Sequence, residues 1–143
     1  VTNHPNEKGT DERVLKELIQ LFINEMDVKY GLSCVGDGGR SREKIETISL
    51  KLSTNRRATL EEAREIQVNA LERFLEILNT SERIKPYLLT HPFPIKDLGI
   101  SIMFISKITD RFFSDGTVCS TMNARDKIFY DIRDVFDTTA FSS

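Results

Sequence analysis

The stretch YGLSCVGDGGRSREKIETISL, residues 30–50, decides the fold, because its glycines fit two incompatible structures. A phosphate cradle needs glycine amides that open into a helix, where unpaired N–H donors and the helix dipole both favour an anion. Here Gly36, Gly38 and Gly39 lead instead into a segment in which Ile48, Leu50 and Leu52 alternate with Thr47, Ser49, Lys51 and Ser53, the period of a strand with one buried face. No Gly-Lys-Ser/Thr ending follows the glycines, as a P-loop would require. The pattern predicts a hairpin: a short strand over 32–35, a turn at the glycines with positive φ values, and a second strand over 44–53.

Outward from this hairpin the elements follow by periodicity. Before it, Val14, Leu15, Leu18, Ile19, Phe22, Ile23 and Met26 mark a helix over 11–29, capped by Thr10 or Asp11 and ended by Gly31. After it, Thr59 and Glu62 form a capping box that starts a second helix. Its core stripe is Ala63, Ile66, Ala70, Leu71, Phe74, Leu75 and Leu78, and it ends near Asn79. Pro86, Pro92 and Pro94 then exclude regular structure over 82–96, although Ile84, Tyr87, Leu88, Leu89, Phe93 and Ile95 are too apolar for a loose loop. Alternation resumes at Leu98, Ile100, Ile102 and Phe104, and turn residues at 114–116 and 123–126 separate further strands over 117–122 and 127–133. The order predicts an α+β fold: a two-layer sandwich of two helices packed on a mainly antiparallel sheet of about five strands. Residues 1–9 read as a disordered tail and 10–143 as a single domain.

Composition bounds what such a domain can do. The 143 residues are 39% hydrophobic and 29% charged, enough for one core without metal or many cross-links. A net charge of -2 gives no global footprint for nucleic acid or anionic lipid. Arg40, Arg42 and Lys44 lie at one end of the second strand and Arg56 and Arg57 at the other, about 30 Å apart, so they form no single basic patch. No apolar run approaches the roughly 20 residues of a membrane-spanning helix. The chain starts at Val1 without Met; a cleaved export signal, an upstream lipid anchor and an arbitrary chain boundary all fit that start.

Candidate chemistry is sparse. Cys34 and Cys119 lack the neighbours of a zinc site, so no metal is expected. A disulfide between them would stabilise by about 4 kcal/mol in the chain-entropy model, and two buried thiols are the competing expectation. His4 and His91 sit beside no Ser or Cys nucleophile, and the pairs Glu61/Glu62 and Asp134/Asp137 read as helix-start and surface residues. No cofactor or catalytic residue is expected. The proline-rich connector carries more weight, since a non-repetitive, aromatic segment is ordered either by docking onto the core or by presenting a surface to a partner. Arg83, Lys85, Tyr87, His91 and Phe93 are the binding candidates there, with Asp37 and Arg40 in the glycine turn.

The combination KYGLSCVGDGG, TLEEAREIQV and SERIKPYLLTHPF resembles a family of small, functionally unassigned bacterial proteins with a Tyr-Gly-Leu then Val-Gly-x-Gly-Gly stretch, a Glu-Ala-Arg helix start and an Arg/Lys-Pro-Tyr-Leu then Pro-Phe connector. The resemblance covers about 29–105. It implies an exported or envelope-associated protein, often with a signal or lipoprotein segment ahead of the domain, and it supplies no catalytic residues. It implies no fixed cysteine at Cys34 and so lends the disulfide no support. The resulting expectation is a non-enzymatic, exported or envelope-associated domain that binds an as yet unidentified protein. The alternatives are a cytoplasmic location and a small-ligand-binding or hydrolytic enzyme with its pocket between helices and sheet. The sequence sets no oligomeric state.

Overall fold

The segment after the glycines is a strand, and the strand before it is longer than the turn chemistry suggests. In the computed structural model, which describes residues 4–113 and 115–134, the elements are α1 (His4–Tyr30), β1 (Leu32–Ser41), β2 (Ile45–Thr54), α2 (Leu60–Thr80), β3 (Leu98–Ser106), β4 (Arg111–Phe112), β5 (Asp115–Ala124) and β6 (Lys127–Asp134). The glycines lie inside β1, and the chain reverses at residues 42–44. Register shifts at Cys34/Gly36 and at Arg40/Ser41 let β1 stay paired through them. Of the three glycines only Gly39 has a positive φ, 141°, and a Cβ there would lie 2.1 Å from the Thr47 carbonyl oxygen. Close backbone approach, not a turn, is what requires glycine at that position.

The hydrogen-bonded strand order is β1-β2-β3-β5-β6, with the short β4 paired to β3. Every pairing is antiparallel except β2 with β3, which is parallel and is joined by α2 and the connector. The register places Leu50 beside Ile100 and Leu52 beside Ile102, so the alternating apolar residues of both strands share one buried face. Both helices cover the sheet on the apolar side, α1 against β1 and α2 against β3 and β5, which makes the fold a two-layer α+β sandwich. The helices meet through Phe22 and Phe74, whose ring centroids are 5.0 Å apart. Arg73 of α2 also donates from Nε and Nη2 to the two carboxylate oxygens of Glu25 on α1, at 3.0 and 2.9 Å. Glu25 and Glu76 together raise the Arg73 pKa. No described helix is long and apolar enough to cross a membrane.

Two of the helix ends that the sequence marks are formed as expected. Gly31 takes φ 70° and donates its amide to Asp27 O at 2.8 Å, closing α1. The Thr59–Glu62 capping box starts α2 with both reciprocal bonds in place. The start of α1 differs: the helix begins at His4, so Asp11 lies inside it and is not a cap.

At the centre of the sheet, β3 and β5 pair only over Ser101–Met103 and Ser120–Met122. Side chains replace the missing ladder. The Ile100 amide donates to Asn123 Oδ1 at 2.7 Å, Asn123 Nδ2 donates to Leu98 O at 2.9 Å, and Gln67 Nε2 of α2 donates to Ile100 O at 2.8 Å. Thr121 Oγ1 donates to Gln67 Oε1, completing a buried chain of satisfied groups.

The connector is a packed crossover. Single 3-10 turns at Lys85–Tyr87 and Ile95–Asp97 flank a cis His91–Pro92 peptide bond. Ile84, Leu88 and Phe93 are buried. Asn79 at the end of α2 holds Phe93 by both main-chain groups, and the Leu89 amide donates to Ile45 O at 2.9 Å.

Candidate functional site

The glycine half of β1 offers α1 few side chains to pack on, and a pocket of about 290 Å³ remains between them. Leu15 and Ile19 of α1 and Ile45 of β2 supply its apolar lining. Asp11 and Glu12 of α1 and Asp37 of β1 supply three carboxylates, with Lys16 as the single cation among the described lining residues. Asp11 is only 7% exposed, yet its sole polar partner among the described residues is the Glu12 amide, 2.7 Å from Oδ1. The Asp11 carboxylate therefore keeps acceptor capacity that no described protein group fills. Gly38, Gly39 and Ser41 complete the rim.

The pocket adjoins an open sheet edge. Among the described residues β1 pairs with β2 alone, so one side of β1 carries unpaired backbone groups. The two register shifts confine the regular part of that edge to Gly36–Arg40, and residues 37–40 are exposed.

The binding candidates named from the sequence do not gather at one place. Asp37 lines the pocket, whereas Arg40, three positions along the same strand, pairs instead with Glu46, Nε to Oε1 at 3.0 Å. In the connector, Lys85 and His91 are exposed, and Arg83 pairs with Glu17 of α1 at 2.9 Å. Tyr87 is half-buried against the core. Phe93 is 2% exposed and cannot meet a partner; it is a core residue, because α2's Asn79 pins its backbone and the ring fills the layer below. Sequence reasoning missed Asp11 and Glu12. The available signal was spacing, since Asp11 precedes Leu15 and Leu18 at helical intervals and so shares their face.

The remaining candidates stay apart. Cys34 and Cys119 form no disulfide: they lie on β1 and β5 with β2 and β3 between, about 14 Å by strand spacing against a Cα limit of about 7 Å. Each thiol instead donates to a carbonyl, Cys34 to Gly36 O and Cys119 to Phe113 O. Among the described residues no cluster of His, Cys, Asp and Glu is placed to hold a metal ion. Of the carboxylate pairs, Asp137 lies outside the described residues, and Glu62 is engaged in the α2 cap. The two groups of basic residues sit at opposite ends of β2. At the far end, a second, larger pocket of about 1050 Å³ at the carboxyl ends of β2 and β3 is lined by Arg56, Arg57 and Lys107, with Asp27 and Asp110 among its walls. Arg56 there faces Glu62 at 3.8 Å and Arg57 lies over the Phe113 ring at 4.7 Å.

No protein-family model, no curated protein and no solved structure matches this chain.

Proposed function

We propose that this chain is a non-enzymatic protein-binding module of the exported or envelope-associated bacterial type that its sequence resembles, and that it engages its partner along the edge of β1. One observation carries the reading: Gly36–Arg40 is a regular strand segment, exposed over residues 37–40, with nothing paired to its outer side among the described residues. An extended peptide can add to such an edge as a further strand, gaining main-chain hydrogen bonds from groups that are already aligned. Gly36 and Gly38 favour this, since without side chains they leave the approach to the peptide groups unobstructed. The register shifts on either side limit the docking window and so oppose indiscriminate edge-to-edge pairing. The connector, with Ile84, Leu88 and Phe93 turned into the core, contributes little more than the exposed rim of Lys85, Leu89 and His91.

The test is selection of binders from a library of random linear peptides, followed by mapping of the bound peptide through amide chemical shifts and hydrogen exchange. Shifts across Gly36–Arg40 with new protection of outward-facing amides are expected. A footprint confined to Lys85–His91, with β1 unmoved, returns recognition to the connector and defeats the edge assignment. For location, fractionation of a bacterium expressing the native gene is expected to recover the protein outside the cytoplasm; recovery in the cytosol rejects that part.

A further inference from the structure

We propose that the pocket between α1 and β1 receives a basic side chain, lysine or arginine, from a peptide segment docked along β1; this deepens the edge-binding reading and rests on it. Size narrows the occupant first. At about 290 Å³ the pocket is at or below the lower bound of roughly 300–1,000 Å³ for sites that enclose a whole small molecule, so it fits one side chain better than a free metabolite. Charge narrows it next. Asp11, Glu12 and Asp37 outnumber Lys16, and the most buried of them, Asp11, has a single amide as its partner. A cation that reaches it would meet an acceptor engaged by that one amide alone and set beside apolar side chains, where pairing is stronger than at a fully open surface.

The lining fits the rest of such a side chain. Leu15, Ile19 and Ile45 present an apolar surface for the methylene stem of lysine or arginine while the carboxylates take its head. Position links the pocket to the edge. Asp37, Gly38 and Gly39 belong both to the pocket wall and to the exposed run of β1, so one residue of an added strand can send its side chain over the glycines without meeting a Cβ. Side-chain pockets beside a paired edge are how strand addition gains sequence preference, since main-chain hydrogen bonds alone carry none.

The experiment titrates the full chain with a blocked threonine pentapeptide carrying lysine at its centre, read by amide shifts. Two matched peptides replace that lysine by norleucine or by glutamate, and cadaverine supplies the amine without a peptide. The lysine peptide is expected to shift Asp11, Glu12 and Asp37 together with Gly38 and Gly39. The norleucine peptide, which keeps the stem and loses the charge, is expected to bind about tenfold more weakly, and the glutamate peptide more weakly still. Asp37→Asn, at an exposed position, should weaken the lysine peptide by about threefold, and Asp11→Asn by about tenfold. Equal binding of the lysine and norleucine peptides overturns the proposal, as does cadaverine binding as tightly as the lysine peptide. Should Asp11→Asn fail to fold, the peptide comparison and Asp37→Asn decide the matter without it. Peptides that shift Gly36–Arg40 whatever their central residue remove the basic pocket but leave the edge; peptides that leave β1 untouched remove both.

Discussion

The centre of the sheet and its β1 rim both leave strand backbone groups without a neighbouring strand, and the chain treats them in opposite ways. Between β3 and β5, where the ladder stops after three residue pairs, Asn123 and Gln67 reach in and satisfy Leu98 and Ile100. Along β1 no further strand covers the outer edge among the described residues, and glycine occupies three of the five positions from Gly36 to Arg40. Solvent explains the difference. A buried, unsatisfied amide or carbonyl costs about 1–3 kcal/mol, so the interior must supply a partner, whereas an exposed one is met by water at almost no cost. Burial decides whether an unpaired peptide group is filled by the protein's own side chains or stays available to another chain.

The largest expected effect strikes the closed region. Asn123→Ala removes the acceptor for the Ile100 amide and the donor to Leu98 O at once, and a loss of about 3–5 kcal/mol is expected in urea denaturation. A loss below about 1 kcal/mol would mean that water reaches β3 and that the two regions are alike. At the rim, Gly39→Ala forces a Cβ against the Thr47 carbonyl at a φ of 141°, with an expected loss of about 2–3 kcal/mol. Gly38→Ala is the control: its Cβ would lie 3.4 Å from Ser49 Oγ, so it should cost less than about 1 kcal/mol. Equal losses at the two positions would show that the glycines act through chain flexibility and not through close approach. A smaller effect than at Gly39 tests the fully solvated limit, the start of α2. Hydrogen bonds from the Thr59 backbone and from its side chain, aided by Arg56, hold the Glu62 carboxyl below its ordinary value of 4.5. Because folding lowers this pKa, the stabilisation is present above the ordinary value and is lost as the pH falls through the folded one. Thr59→Ala should cost about 1 kcal/mol near neutral pH, and the gap to the parent chain should narrow in acid; a gap that widens in acid contradicts the capping role.

Much of the architecture was legible because local signals and tertiary structure agree there. The alternation at Ile48, Leu50 and Leu52, the Thr59–Glu62 box and Gly31 after α1 each place an element end or a buried face correctly. Illegible features depend on distant residues. Glycine normally signals a turn, and only the facing Thr47 and Ile48 reveal that Gly39 is required inside a strand. Gln67 breaks the apolar stripe of α2, and its partner Thr121 is 54 positions away. Asp11 reads as a cap because Asp is common there, until the helix extends past it and turns it toward the pocket. Phe93 reads as a surface anchor because proline flanks it, and it is the hold of Asn79 on its backbone that sends it inward. The candidate site was therefore half visible, with Asp37 named and its two acidic neighbours on α1 overlooked.

The parallel seam between β2 and β3 has a further consequence, in time and not in space. The hairpins β1–β2 and β5–β6 join neighbours in the chain, but the seam that unites them pairs position 48 with 98, so of the strand pairings it closes the longest loop. As the polypeptide emerges from the ribosome, Ile48, Leu50 and Leu52 are synthesised well before the strand that will lie beside them. During that interval the first hairpin has an inner strand without its later neighbour, a margin that closes only once Leu98 and the residues after it have been made.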